Sequence, residues 1–473
     1  IKIEVNTGGY MSKLVTVILA AGQSTRMKSK RSKVLHNLAG QPVISYVVDI
    51  AKKGVKSEKV IVVVGPKQDD LRKYLKENHI AEAIQKQPLG TGNAVQASEN
   101  KLKGFDGYVL VLCGDVPLLQ AEVVSSFIKR VKSKNFSLGV LTMTPSDAGN
   151  YGRIVRDLDG EVIKIVEARD ASEEELKIRE VNSGILCFDA KWLFKSLKKL
   201  SNKNVKGEYY ITDLVGIALK EGASVVAFNG EPAHDLLGIN TRIDLARAYE
   251  IMRERINKKH MLGGVGLLDY RHINIDANVK IGADTSIMPY SFIRGDTRIG
   301  KDCIIENGVV IENAVIGDGV HIKAHSVIED SKIADGAIVG PFSRVRPDSK
   351  VGKGARVGNF VELKKCDLKD GAKANHLSYL GDASIGSGVN IGCGTITCNY
   401  DGVSKYRTVI GDNVFVGSDT QFVAPVRIGK CATIGAGSTI TKDVPADALA
   451  LSRSDQKIIK NWSKKRKKKK SCS

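Results

Sequence analysis

From Ile275 to Thr439 an aliphatic residue returns every six positions, usually with a small or polar residue after it, as at Ile281-Gly282, Ile299-Gly300, Ile316-Gly317, Val351-Gly352, Val357-Gly358, Ile391-Gly392, Ile410-Gly411 and Ile428-Gly429. This is the pattern of a hexapeptide-repeat solenoid. One aliphatic side chain per hexad points inward and stacks on its counterparts in neighbouring coils, while Gly, Asn and Asp turn the corners, where unusual backbone angles are needed. Aromatic residues make up only 5% of the chain, as narrow coils with little room for rings require. At 473 residues and 42% hydrophobic content, the chain is expected to form two domains.

Ahead of the repeat, apolar β-rich runs alternate with amphipathic stretches. Leu14 to Leu19, Val60 to Val64, Tyr108 to Leu112, Ser137 to Thr142, Ile185 to Phe188 and Ser224 to Phe228 read as strands. The alternation predicts a mainly parallel α/β sheet flanked by helices, with ligands outside the carboxyl ends of its strands. Thr241 to His260 reads as a connecting helix starting near Asn240. The expected boundaries are 11–238 for the α/β domain, 239–262 for the linker helix, 263–455 for the solenoid and 456–473 for a basic tail. The hexad rhythm is interrupted between Leu363 and Ser384, has longer gaps around Cys398 to Val409 and Ser418 to Val426, and stops after Thr439.

The formal net charge is +20, and the run Lys464 to Lys470 supplies seven of the positive charges. The remainder favours anionic partners, with nucleic acid and small phosphorylated substrates attracted alike. The tail reads as a solvated, disordered extension. The eight cysteines include no CxxC pair and no zinc-type His/Cys spacing, which fits reduced thiols in a cytoplasm. No apolar run is long enough to span a bilayer and no signal-peptide core is present, so membrane insertion and export are not expected. Residues 1–10 read as an extension, with Met11 as a natural start.

The first strand runs into Leu19-Ala20-Ala21-Gly22-Gln23-Ser24-Thr25-Arg26-Met27, followed by Lys33-Val34-Leu35. A small-residue loop lets backbone N–H groups approach a phosphate, and Arg26 and Lys33 can neutralise a triphosphate. An ordinary strand-to-helix turn with surface cations would read the same way. The segment resembles the signature of sugar-nucleotide pyrophosphorylases, Leu-x-x-Gly-x-Gly-Thr-Arg-Met followed by a lysine, with Ser24 in place of the common glycine. Further matches follow in order: Gln85, Leu89-Gly90-Thr91-Gly92, Gly114-Asp115-Val116-Pro117, Tyr151-Gly152-Arg153, Glu167, Asn182-Ser183-Gly184 and Gly238-Ile239-Asn240. The resemblance implies nucleotide and sugar contacts from Leu19, Ala20, Ala21, Gly22, Lys33, Gln85, Gly90, Thr91, Asp115, Gly152, Glu167, Asn182 and Asn240, with Gln85 reading the base. It also implies magnesium (Mg2+) at Asp115 and Asn240, a sufficient set because this ion keeps most of its waters. A sugar phosphate would attack the α-phosphorus and expel pyrophosphate, with catalysis by positioning and charge neutralisation through Arg26, Lys33 and the metal.

The second half carries Arg344-Val345-Arg346-Pro347, Asn359 to Lys365, Asn375 to Asp382, Asn390 to Thr395 and Cys398 to Gly402. With the nucleotide motifs, these segments resemble the bifunctional bacterial family of N-acetylglucosamine-1-phosphate uridyltransferases and glucosamine-1-phosphate acetyltransferases, from Met11 to about Trp462. The implied architecture is a Rossmann-like nucleotidyltransferase domain followed by a left-handed parallel β-helix. His376 occupies the family position of the group that takes a proton as an amine attacks acetyl-CoA, a task suited to a pKa near 6.5. Arg346 and Lys364 match positions gripping the sugar phosphate, and Tyr379 and Asn390 match those on the sugar. Asn399, Tyr400 and Lys405 complete that pocket, Asn399 and Tyr400 also facing acetyl-CoA, which Cys393, Ser418, Ala436 and Arg453 contact. Taken alone, His376 and the other seven histidines read as structural or surface residues. The family forms homotrimers with shared acetylation pockets. The expected activity acetylates glucosamine 1-phosphate and joins the product to UTP, feeding cell-envelope polysaccharide synthesis, with no nucleic-acid partner. The competing readings are a single-function nucleotidyltransferase with a structural solenoid, and a basic non-enzymatic scaffold.

Overall fold

Leu14–Leu19 forms β1, whose residues alternate between two cores: Leu14 and Ile18 pack on one face of the sheet, Val15 and Val17 on the other. A strand covered on both faces reads as a continuous apolar run, which explains why this one was legible. The computed structural model describes residues 13–22 and 24–470, so the suggested extension before Met11 lies outside the described residues. The chain divides into two compact units between Met252 and Arg253.

In the first unit β1 is joined by β2 (Lys59–Val64), β3 (Ala81–Ile84), β4 (Tyr108–Cys113), β5 (Leu138–Met143), β6 (Arg153–Arg156), β7 (Val162–Val166), β8 (Val181–Asp189) and β9 (Val225–Asn229). The main sheet runs β9-β5-β8-β4-β1-β2-β3, with the β6–β7 hairpin attached to β8. Strands β1 to β4 are mutually parallel, and β9 is parallel to β5. β8 runs antiparallel to both β4 and β5, and its register shifts between Asn182 and Ile185, where Gly184 has φ 81°. The helix Arg242–Leu262 begins in a reciprocal cap: Thr241 Oγ1 accepts the Asp244 N–H at 3.1 Å, and Asp244 Oδ2 accepts the Thr241 N–H at 2.8 Å. A two-donor closure of this kind fixes where the helix starts.

The second unit is a left-handed parallel β-helix with three sheets of 11, 10 and 9 short strands. Its first face contains Arg356–Asn359, Lys373–His376 and Asn390–Ile391; its second contains Glu362–Lys364, Tyr379–Gly381 and Ile396–Cys398; its third contains Asp367–Leu368, Ala383–Ile385 and Thr408–Ile410. The inward file of the first face, Ile287, Ile305, Ile322, Val339, Val357, Ala374, Ile391, Val416 and Ile434, is buried throughout. Glycine after the inward residue is a requirement of stacking: a Cβ on Gly392 would stand 2.5 Å from the Gly417 carbonyl carbon. The edge between first and second faces turns through residues of positive φ, among them Tyr290, His325, Phe342, Phe360, Leu377 and Asp419. His325, Phe342 and Phe360 stack there with ring centroids 5.1 and 5.5 Å apart.

Four expectations are corrected. The rhythm is not broken between Leu363 and Ser384, where Leu363 pairs with Leu380 and Asp367 with Ser384 in unbroken register; Ser418 to Val426 is regular too. The stack also continues past Thr439, since Thr433 pairs with Leu449. The extended turn is 399–407: Ile391 pairs with Val416, a step of 25 residues where Ala374 reaches Ile391 in 17. At the end of the chain, where disorder was expected, Trp462–Lys470 is helical; Lys and Arg are good helix formers even when solvated.

Candidate active sites

In the first unit, the ends of strands β1, β3 and β4 deliver loops that make the site. Leu19, Ala20, Ala21, Gly22, Lys33, Gln85, Gly90, Thr91 and Asp115 line one cavity of about 450 Å³. Gly152, Glu167, Asn182, Asn240 and again Asp115 line a second of about 190 Å³. Asp115 therefore stands where the two meet. Lys33 Nζ donates to Asp115 Oδ2 and, at 3.0 Å, to Asn240 Oδ1, which also accepts from Arg26 Nη2 at 2.8 Å. Arg26 lines neither cavity and, among the described residues, joins the cluster through Asn240. Gly238 passes beside the Asp115 carboxylate, where a Cβ would be 3.4 Å from it, and Ile239 N–H bonds the Asp115 carbonyl at 2.8 Å.

Gly90 and Gly92 serve close packing. Gly90 has φ 102°, and a Cβ on it would lie 2.7 Å from the Tyr209 carbonyl oxygen; Gly92 N–H donates to that oxygen at 2.8 Å. Thr91 Oγ1 accepts the Ile211 N–H at 3.0 Å, and Gln85 donates to the Gly90 carbonyl at 3.0 Å and to Asn93 Oδ1 at 2.9 Å. Gln85 is buried with its amide nitrogen committed, which leaves its oxygen for a ligand.

Burial pushes the Glu167 carboxyl above its ordinary range, against a hydrogen bond from Thr212 at 3.0 Å and the charge of Lys206, and with the help of Asp213 and Asp170. Burial, aided by Asp115 and opposed by Lys33, pushes the Cys113 thiol up to about 12, so this thiol is no nucleophile. Arg153 contributes from beneath the site, donating to the carbonyls of Ala148, Gly149 and Tyr151 and so fixing the turn that presents Gly152. Gln68, Glu208 and Tyr151 were not among the expected contacts. Glu208 lines the first cavity, and Tyr151 lines the second while its hydroxyl accepts the Gly238 N–H at 3.1 Å.

In the second unit, cation–carboxylate pairs on the second face include Arg346 Nη1 to Glu362 at 2.8 Å and Lys364 Nζ to Asp382 at 3.0 Å. Asn399 Nδ2 donates to the same Asp382 oxygen. Burial raises the Asp382 carboxyl, but the bonds from Lys364 and Asn399, with the charges of Lys364 and Lys405, outweigh it and hold the group below the usual range. Tyr379 lies across Gly381, where a Cβ would be 2.4 Å from its hydroxyl oxygen. Asn390 is apart from these residues, on the first face opposite Lys373.

His376 stands on the edge between those faces, exposed, and among the described residues no group bonds its ring. By contrast His321 is paired with Glu306 at 2.6 Å, and His325 is stacked on Phe342. The strand pairings put Asn359, His376, Cys393, Ser418 and Ala436 in one file along that edge. Backbone bonds tie its successive corners, from Asp419 to Cys393 at 2.7 Å and from Gly437 to Ser418 at 2.8 Å, and Arg453 Nη1 donates to the Ala436 carbonyl at 2.9 Å. Tyr400 and Lys405 face each other as an antiparallel bridge in the extended turn.

Three family models match the chain: the MobA-like NTP transferase domain over residues 16–182, the GMPPB C-terminal domain over 275–349, and six repeats of the bacterial transferase hexapeptide over 407–442. Proteins named Bifunctional protein GlmU align along nearly the whole chain. That of Pelobacter propionicus is 47% identical, covering 97% of this chain and 100% of the relative. Those of Geobacter sulfurreducens and Shouchella clausii are each 45% identical, covering 96% of this chain and 98% and 100% of the relatives.

Proposed function

The chain belongs to the GlmU family of bifunctional proteins, and from that premise we propose how its two units divide the chemistry. The enzyme acetylates glucosamine 1-phosphate with acetyl-CoA, then transfers UMP from UTP to N-acetylglucosamine 1-phosphate, releasing pyrophosphate. The observation that carries this reading is that each unit gathers its own distinct set of groups: a cation–carboxylate–amide cluster at strand ends in one, an exposed histidine above a file of small corner residues in the other.

For acetyl transfer, the amine nitrogen of glucosamine 1-phosphate attacks the thioester carbonyl. The C–N bond forms, the C–S bond breaks, and His376 takes the proton released by nitrogen. Arg346 and Lys364 hold the phosphate in exchange for Glu362 and Asp382, Tyr379 and Asn390 orient the sugar, and Asn399, Tyr400 and Lys405 close the pocket. Cys393, Ser418, Ala436 and Arg453 hold acetyl-CoA along the edge. Because His376 has Tyr379 on one side and Asn390 on the other, a pocket using both faces is best closed by a neighbouring subunit. That geometry and the exposed aromatic edge support a homotrimer.

For uridylyl transfer, a phosphate oxygen of N-acetylglucosamine 1-phosphate attacks the α-phosphorus of UTP. The bond to the bridging oxygen breaks, pyrophosphate leaves, and no enzyme nucleophile is needed. Arg26 and Lys33 neutralise the triphosphate, Gln85 reads uracil, Glu167 and Asn182 meet the sugar, and the Leu19–Gly22 loop approaches the phosphates. Magnesium fits the donors present: Asp115 Oδ2 and Asn240 Oδ1 already share one cationic atom, the Lys33 ammonium, and two oxygens suffice for an ion that keeps its waters. Bound there, it would add Lewis-acid neutralisation of the triphosphate. We place the enzyme in the cytoplasm, where UTP and acetyl-CoA are; among the described residues no helix is long and apolar enough to cross a membrane.

The half-reactions should separate. His376→Ala is expected to lose acetyl transfer by about 10²-fold or more while uridylyl transfer from supplied N-acetylglucosamine 1-phosphate persists. Asp115→Asn should do the reverse. If both half-reactions fell together in either variant, the division of labour would be wrong.

A further inference from the structure

Two side chains outside the expected nucleotide contacts tie down the loop after β1, beside a cavity of about 610 Å³ that they line with Ala21 and Gln85. Gln68, in the turn after β2, spends its whole amide on this task. Its Nε2 donates to the Ala20 carbonyl at 3.0 Å and the Gly22 carbonyl at 3.1 Å, and its Oε1 accepts the Gly65 N–H at 2.7 Å. Ser24 adds a second tie, its hydroxyl accepting the Lys33 N–H at 3.1 Å and donating to the Gly22 carbonyl at 3.4 Å. Ser24 does so at φ 59°, a left-handed conformation that strains a non-glycine residue. A glycine there would be unstrained, yet it would have no hydroxyl to reach Lys33.

The peptide plane is rigid, so a carbonyl pinned toward Gln68 turns the next N–H to the opposite side. Fixing the Ala20 carbonyl thus fixes the Ala21 N–H, on a residue that lines the cavity shared with Lys33 and Asp115. Fixing the Lys33 backbone in turn limits where its ammonium can stand. We propose that Gln68 and Ser24 are positioning residues for uridylyl transfer: they hold the Leu19–Gly22 loop and the Lys33 segment in the nucleotide-receiving form before UTP arrives. Preorganisation of this kind is expressed in UTP affinity, because the ordering of the loop no longer has to be supplied by the ligand. The proposal rests on the uridylyl-transfer reading above.

The test uses the full-length chain carrying Gln68→Ala, Gln68→Glu or Ser24→Gly, with both half-reactions assayed and UTP binding followed by calorimetry. All three should raise KM and Kd for UTP, the Gln68 variants by about ten- to a hundredfold, with kcat within a few-fold and acetyl transfer unchanged. Gln68→Glu carries a further signature. Its carboxylate faces two carbonyls and cannot donate, whereas the protonated form regains one donor, so its KM relative to the parent should fall as pH drops from 8 to 6. Unchanged UTP affinity in both Gln68 variants, or an equal loss of both half-reactions, would overturn the clamp. A parent enzyme that made no UDP-sugar would instead overturn the functional reading, so the two failures are distinct.

Discussion

At the scale of single residues, Glu167 shows a conflict between function and stability. Its raised carboxyl pKa means that the folded state prefers the proton. The stability it contributes is therefore fully present below the unfolded value, near 4.3, and is lost as pH rises through the folded value. Glu167→Gln should melt a few degrees above the parent at pH 8, with the gap closing at pH 4, while uridylyl transfer falls. Thermal melts at both pH values check this; a variant less stable than the parent at pH 8 would sink it. Asp115 and Lys33 could be picked out from sequence because each sits in an ordered motif at a strand end. Gln68 could not: a glutamine in a polar turn has no signature, and its role exists only because the chain returns it to carbonyls 46 and 48 residues earlier. Ser24 is legible as a departure from the usual glycine, but its bond to the Lys33 backbone exists only once the loop has folded back on itself.

Among elements, the extended turn 399–407 interrupts the coils, adding eight residues between equivalent positions of the stack. It is stiffened internally, with the Asp401 carboxylate accepting the N–H groups of Val403 at 2.8 Å and Ser404 at 2.7 Å, bonds that hold its carboxyl below the usual range. Replacing residues 400–406 by a short turn should leave melting nearly unchanged, since Ala383 to Ile385 still pair with Thr408 to Ile410. Acetyl transfer should drop roughly a hundredfold through loss of Tyr400 and Lys405. Melting curves and the acetyl-transfer rate decide the matter: a collapse of the fold would mean the turn is structural. The apparent interruption at Leu363 to Ser384 was misread for a physical reason. Only the inward position of a hexad is constrained to be aliphatic, and Leu363, Leu368, Ala374, Leu380 and Ile385 satisfy it; the outward positions are free to carry Lys364, His376 and Tyr379. The antiparallel course of β8 was equally invisible, because an apolar strand covered on both faces reads the same in either direction.

For the whole molecule, the buried side chains fall into separate cores, one filling the solenoid and two on the faces of the α/β sheet. Calorimetry of the full chain should therefore resolve two transitions. Phe127→Ala should lower one and Ile322→Ala the other, each by the equivalent of about 2–5 kcal/mol. A single transition displaced by both changes would refute the separation. That there are two domains followed from length and the change of period; where the chain divides depended on the helix Arg242–Leu262, which runs through the boundary. Length in the solenoid comes in quanta. Ile287 pairs with Ile305 and Ile305 with Ile322, so a segment such as 305–321 begins and ends at equivalent points of the stack. Excising it would bring Ile322 to the place of Ile305 and shorten the rod by one tick of about 4.8 Å. Excising half of it would rotate every later side chain onto the wrong face, so length changes that run through the strands are tolerated only in whole turns of the screw, whereas an excursion that leaves and rejoins at one corner, as 399–407 does, keeps the register.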